Sequence, residues 1–165
     1  GEHGYWQKTT LFENAARVPL IIAAPGLKAA GKSTACPAEM IDFYPTLADL
    51  CGLDAPENLS RVSLQAALQD PSARPRQAAL TQYDSGYSLR VSQYRYTEWG
   101  RDGSEGAELY DHSSDPQELV NLAGRPESAQ LIKRLASQLR KRIGEAQKTP
   151  EGLVQKRGET RRRQK

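Results

Sequence analysis

The sequence predicts an α/β fold that becomes α+β in its C-terminal half. Residues 20–24 are apolar at every position, which is typical of a strand covered on both faces in a parallel sheet. Residues 87–92 and 94–99 alternate with period two, which indicates antiparallel strands with one polar and one apolar face. Residues 128–143 carry apolar side chains at helical spacing, so we expect a C-terminal helix packed on that antiparallel sheet.

The first element is a short helix before the apolar run. Thr10 and Glu13 have the spacing of a capping box, in which each side chain satisfies a backbone donor of the other. Glu13 and Arg17 are four residues apart, in the acid-before-base order that favours a helical ion pair. Pro19 cannot continue a helix and biases Val18 towards extended geometry, so the chain should then enter the strand.

A second helix is predicted within residues 41–53. Asp42 fits its N-cap, Pro45 its first turn and Gly52 the left-handed position after its end. Four side chains of this helix should form one buried stripe. They are Phe43, Leu47, Leu50 and Cys51.

Shorter elements complete the expected fold. Residues 63–68 form a helical patch, and strands are expected at 78–83 and 108–110, next to the two alternating strands. Gly144 should end the C-terminal helix. The expected unit is therefore a small antiparallel sheet with one face on a helix.

The chain divides into three expected parts. The prolines between residues 71 and 75 predict a boundary, which separates residues 1–74 from residues 75–146. Residues 147–165 form a basic tail that we expect to be disordered and solvated. Nucleic-acid binding by the tail is disfavoured because no aromatic side chain is interleaved with its basic residues.

Composition limits the class of protein. The chain has 165 residues, 38% hydrophobic and 26% charged, and no run approaches the roughly 18 apolar residues of a membrane span. It shows no signal peptide and its one methionine is Met40, so we expect a piece of something longer or a processed product. Cys36 and Cys51 are too few for a disulfide framework; buried free thiols are expected, with a single bridge as the alternative.

Several motifs, in the same order along the chain, resemble the sulfatase family in its iduronate-2-sulfatase-like branch. The resemblance implies the C-terminal part of an alkaline-phosphatase-like α/β domain followed by a small antiparallel subdomain. The matching stretches are Gly1-Glu2-His3-Gly4, Trp6, Lys8, Thr10, Phe12-Glu13, Arg17-Val18-Pro19 and residues 41–53, 86–90, 94–99, 108–111 and 115–122.

The resemblance assigns Lys8 to contact with the sulfate. A lysine suits this role because it is a compact charge on a flexible stem, although a single lysine is ordinarily a solvated surface charge. His3 and Trp6 lie in the same glycine-rich segment and are the candidates for substrate binding. The alternatives are a hydrogen-bonded loop histidine and a packing tryptophan.

The resemblance also implies cofactors that this chain does not supply. The family nucleophile is a formylglycine made from the cysteine of a Cys-x-Pro-Ser-Arg motif, and neither Cys36 nor Cys51 lies in one. The family's calcium ligands lie before the stretch that corresponds to Gly1, so we assign no metal ligand in this chain. Asp42 belongs to a structural helix in the family, which makes it a cap and not a catalytic acid.

The function implied is hydrolysis of sulfate esters, with a sulfated small molecule or sugar as substrate. The expected partner is the upstream part of the same enzyme, no membrane partner is expected, and the family implies an exported, periplasmic or lysosomal-type location. Two alternatives stay open: a non-enzymatic remnant or binding module, and a hydrolase of phosphate mono- or diesters from the same superfamily.

Overall fold

The chain is organised around one antiparallel sheet. A computed structural model describes residues 1–6, 8–56 and 62–149. The sheet has the strand order β1-β2-β3-β4, so each strand pairs with its neighbour in sequence. The strands are β1 Ala79–Tyr83, β2 Gly86–Arg90, β3 Tyr94–Trp99 and β4 Gly106–Asp111. The helices are α1 Glu13–Ala16, α2 Phe43–Leu50, α3 Gln65–Gln69 and α4 Ala129–Ala146.

One face of the sheet forms the hydrophobic core with α4. The register aligns Leu89 with Tyr96, and Tyr96 with Leu109, so these side chains point to the same face. Leu135 and Leu139 of α4 are buried against them. The predicted antiparallel sheet, packed on a C-terminal helix, is therefore confirmed.

The polar face of the sheet is buried as well. Ser88 pairs with Thr97 across β2 and β3, and both are fully buried together with Arg95. The Thr97 hydroxyl donates to Ser88 Oγ over 3.0 Å. The alternating pattern therefore reports two buried surfaces of different chemistry.

The predicted strand at residues 20–24 is wrong for this structure. These residues form no strand, and the side chain of Ile21 is 89% exposed. An apolar strand of a parallel sheet needs neighbouring strands on both sides and cover on both faces. Within the described residues the sheet is the antiparallel one, and it offers no such neighbour.

The end of α2 follows the sequence prediction, and its start does so only in part. Gly52 has φ 65°, and the amides of Gly52 and Leu53 donate to carbonyls of the last turn, which is a Schellman motif. Asp42 precedes the helix, but its carboxylate accepts the Glu39 N–H at 2.8 Å instead of an amide of α2. Asp42 thus closes the 3-10 turn Met40–Asp42.

The buried stripe predicted for α2 is wrong. Leu47 is 57% exposed and Cys51 is exposed, whereas Pro45, Thr46 and Ala48 are buried. The burial of Thr46 is explained in part by its hydroxyl, which accepts a hydrogen bond at 2.9 Å from the amide of Leu64, the residue before α3. The helix therefore faces the rest of the described chain with its small side chains.

Two smaller expectations also need correction. Cys36 and Cys51 are free as expected, but Cys36 is only half-buried and Cys51 is not buried at all. Gly144 does not end α4, because the helix continues to Ala146.

The predicted basic tail lies outside the described residues from residue 150 onwards. Within them, no helix combines the length and apolar character needed to cross a bilayer.

Candidate functional site

The N-terminal segment begins with a tight turn that packs on aromatic side chains. His3 has φ 55° inside the 3-10 turn Glu2–Gly4. Its ring stacks on Phe12 with the centroids 3.8 Å apart and the planes 3° from parallel. Phe12 in turn tilts against Tyr110 of β4 at 5.9 Å. His3 therefore joins the N-terminal turn to the sheet.

The other two candidate residues lie on the surface. Trp6 is 89% exposed, and Lys8 is exposed as well. The carbonyl of Lys8 accepts the Thr10 amide at 3.0 Å, which turns the backbone towards α1. His3 lines a cleft of about 330 Å³ beside Glu118, and neither Trp6 nor Lys8 does. The three predicted residues thus do not share this cleft.

The capping box predicted at Thr10 and Glu13 is wrong. Phe12 is the residue before α1, and its side chain cannot cap. Thr10 Oγ1 is buried without a hydrogen-bond partner among the described residues. The amide of Glu13 donates instead to Glu118 Oε2 at 2.7 Å, across 105 residues of sequence. A carboxylate from the far end of the chain therefore caps this helix.

Glu118 joins three parts of the fold through one carboxylate. It is 2% exposed and lies in the left-handed region with φ 57°. Its Oε1 accepts Arg95 Nε of β3 at 2.6 Å and lies 2.7 Å from His112 Nε2. With the bond to Glu13, the carboxylate connects α1, β3 and the residue after β4.

The side chain of Glu13 completes this group on its exposed side. Its carboxylate accepts hydrogen bonds from Arg95 and from Arg90 Nε, the latter at 3.2 Å. Arg17 lies 3.8 Å away in the predicted helical pair, but its side chain is 79% exposed. Burial acts to raise the pKa of Glu13, but the charges of Arg90 and Arg95 outweigh it and hold the pKa below its usual value. Glu13 is therefore charged in the folded chain at neutral pH.

We call these five side chains the Glu118 cluster. Its members are Glu13, Arg90, Arg95, His112 and Glu118. One ligand atom each from Glu13, His112 and Glu118 lies within 4.8 Å of the others, which is close enough for a metal site. The carboxylate oxygens, however, already face two guanidinium groups, whose charge opposes a bound cation. The cluster is an ion-pair network.

Comparison with known proteins assigns the family. The model of the family described as N-sulphoglucosamine sulphohydrolase, C-terminal, matches residues 1–145. The chain belongs to this sulfatase family. The match includes the segment of Lys8 and every residue of the Glu118 cluster.

Two relatives of this sulfatase chain are themselves named as sulfatases. A sulfatase of Formosa agariphila is 38% identical over 124 residues, which cover 74% of this chain and 24% of that protein. An N-acetylglucosamine-6-O-sulfatase of Bacteroides thetaiotaomicron is 31% identical over 147 residues, which cover 82% and 26%. The chain therefore spans about a quarter of the length of these relatives.

A solved structure supports the sulfatase fold. The structure shows the protein BT4656 in complex with its substrate D-glucosamine-2-N,6-O-disulfate. It superposes on this chain with a TM-score of 0.79 at 27% identity. The superposition covers 92% of this chain and 33% of that one. The predicted sulfatase fold is thereby confirmed, whereas the iduronate-2-sulfatase-like branch stays a prediction.

Calcium, which the family implies, does not fit the described residues of this chain. Calcium takes six to eight oxygen ligands in proteins. The nearest candidate group is the Glu118 cluster, which offers two carboxylates and a histidine, and its carboxylates already accept hydrogen bonds from arginines. Neither cysteine lies in a formylglycine motif. Among the described residues, no cluster therefore suits calcium, and neither Cys36 nor Cys51 has the sequence context of the formylglycine motif.

The sequence interpretation missed the Glu118 cluster. Glu118 and Arg95 lie in stretches that carried the family resemblance, but nothing in the pattern placed either beside Glu13. A buried arginine on the polar side of a strand gives one signal, because Arg95 alternates with the apolar residues of β3. Its partners, however, are distant in sequence.

Proposed function

We propose that this chain is the C-terminal portion of a sulfatase that hydrolyses sulfate esters of a sulfated sugar, with Lys8 contacting the sulfate. The observation that carries the proposal is the family match over residues 1–145, which includes the Lys8 segment. The relative named N-acetylglucosamine-6-O-sulfatase and the structure with a sulfated glucosamine support a sulfated sugar as the substrate class.

Lys8 contributes charge and not the nucleophile. Negative charge on the oxygens of the sulfate ester is redistributed as the ester bond breaks. A preorganised cation beside these oxygens stabilises the charge that develops in the transition state. The side chain of Lys8 is exposed, so its ammonium is accessible to a sulfate that other residues would hold. Trp6 offers an exposed indole on the same segment for packing on a sugar ring. His3 would act by holding the turn, because its ring is stacked on Phe12.

Calcium and formylglycine belong to the longer enzyme in this proposal. They would supply the electrophilic charge and the nucleophile, respectively, from residues upstream of Gly1 in that enzyme. The isolated 165-residue chain should therefore show no turnover of an aryl sulfate. Activity of the purified chain that Lys8→Ala abolishes would refute this division of labour.

The domain arrangement we propose follows from the exposed apolar side chains. Apolar side chains before and along α2 are exposed in this chain, and we take them as candidates for contact with the rest of the longer enzyme. They are Val18, Leu20, Ile21, Met40, Ile41, Tyr44 and Leu47. We assign residues 1–74 to the catalytic α/β domain and residues 75–146 to the small subdomain.

The decisive test uses the longer polypeptide that carries this chain. It should release sulfate from 6-O-sulfated glucosamine, and a 2-O-sulfated uronate assayed in parallel tests the iduronate-2-sulfatase-like branch. A matched phosphate monoester should be turned over much more slowly. Faster phosphate release would make the protein a phosphoesterase, and the absence of both activities would favour a binding module.

A further inference from the structure

The capping of α1 differs from that of an ordinary surface helix. A helix of four residues leaves its first amides without intrahelical partners, and the Phe12 side chain cannot accept one. The Glu13 amide is the first of these donors, and it bonds to the buried carboxylate of Glu118. The position of α1 therefore depends on a residue of the C-terminal part of the chain.

The same carboxylate is held firmly from behind. Arg95 is 2% exposed and donates to Glu118 and to Ser88 Oγ, at 2.6 and 3.2 Å. Arg95 lies on β3 and Ser88 on β2, which are the two central strands of the sheet. Glu118 also adopts a left-handed backbone conformation that non-glycine residues rarely take. The carboxylate is thus fixed on the sheet and presented to α1.

Helix α1 in turn fixes the segment that carries Lys8. Lys8 precedes Phe12 by a few residues only, and the Lys8 carbonyl bonds to the Thr10 amide within that interval. Phe12 itself packs between His3 and Tyr110. A shift of α1 therefore moves the backbone on which the Lys8 side chain stands.

We propose that Glu118 is a positioning residue for Lys8, acting through the Glu13 amide and α1. This inference rests on the proposed function, because it assumes that Lys8 contacts the sulfate. In this account the small subdomain contributes to catalysis by holding the backbone that bears the Lys8 ammonium. Arg95 supports Glu118 and also donates to the Glu13 carboxylate, so it holds α1 to the sheet directly as well.

The first test measures amide hydrogen exchange in the 165-residue chain. The Glu13 amide should be protected in the wild type, although it is the first amide of a very short helix. Glu118→Gln replaces one carboxylate oxygen by an NH2 group, so exchange at Glu13 should accelerate about tenfold or more. Amides of β2 and β3 should keep their wild-type rates.

Glu98→Gln is the matched control. Glu98 is also a buried carboxylate of this sheet, but it accepts bonds from Tyr96 and Arg140 on the face of α4. Its replacement should leave the exchange of Glu13 relative to the strands unchanged. An unprotected Glu13 amide in the wild type would overturn the proposal, and this result does not depend on whether a variant folds.

The second test uses the longer polypeptide and a double-mutant cycle. If Glu118 acts through Lys8, Glu118→Gln should lower kcat about tenfold in the wild-type background, with a smaller change in KM. In the Lys8→Ala background, the same substitution should lower kcat little further. An equal loss in both backgrounds would mean a purely structural role and would overturn the proposal. A wild type without sulfatase activity would refute the proposed function instead, while the exchange experiment would still report on Glu118.

Discussion

Asp42→Asn should destabilise the chain more than any surface change of the same size. The Asp42 carboxylate is fully buried and accepts Arg76 Nε at 2.7 Å, with a second bond from Arg76 Nη2. Breaking a buried ion pair by removing one partner costs about 3–5 kcal/mol. Arg76 keeps Glu39 as a partner at 3.1 Å, so we expect the lower end, about 3 kcal/mol.

Urea unfolding of the 165-residue chain measures this loss. With a slope of about 2 kcal/mol per molar urea, the midpoint should fall by about 1.5 M. Glu127→Gln is the control, because Glu127 lies 4.0 Å from Arg125 and both side chains are more than half exposed. Its midpoint should not change measurably. A loss below about 1 kcal/mol for Asp42→Asn would refute the reasoning, because leaving the buried Arg76 charge without this partner would then cost little.

Three further predictions follow from single sites. Because the pKa of Glu13 is lowered in the folded chain, its contribution to stability is present above the ordinary value of 4.5 and is lost as the pH falls through the folded-state pKa. The free energy of unfolding, measured against pH, should therefore fall less steeply on acidification in Glu13→Gln. Gly86→Ala should cost about 1–3 kcal/mol in urea unfolding, because a Cβ there would lie 2.6 Å from the Trp99 ring. Burial and a nearby glutamate raise the pKa of Tyr96 and of Tyr110, so both should stay protonated in an alkaline absorbance titration after exposed tyrosines have ionised.

Each of these three predictions has a control or a contradicting result. Equal acid sensitivity of wild type and Glu13→Gln would contradict the first. For the second, Gly124→Ala is matched because a Cβ there meets no atom within 4 Å, and equal losses in both variants would contradict the steric reasoning. For the third, loss of one late-ionising phenol in Tyr96→Phe is expected, and an unchanged titration curve would contradict the assignment.

Local pattern was sufficient where neighbouring elements are adjacent in sequence. Strand β3 was predicted at residues 94–99 and has those bounds, because its partners β2 and β4 precede and follow it through short connections. The Gly52 position was predictable because a left-handed residue after a helix depends on local sterics. The stripe of α4 was predictable because its period alone defines the buried face.

Long-range pairing could not be predicted from the pattern. A glutamate at 118 in a polar loop suggests a surface acid, and only the folded chain brings it to the Glu13 amide. The apolar run at 20–24 predicts a strand, but a strand forms only where partner strands are present. The exposure of Leu47 has a similar origin, because apolar spacing does not specify which neighbour covers the helix.

The most direct test of the central claim is the turnover number of the longer polypeptide with and without the Lys8 ammonium. Sulfate release from 6-O-sulfated glucosamine should fall about 100- to 1,000-fold in kcat for Lys8→Ala. Lys32→Ala, which removes another exposed lysine, should leave kcat unchanged. A Lys8→Ala enzyme with the kcat of the wild type would contradict the account.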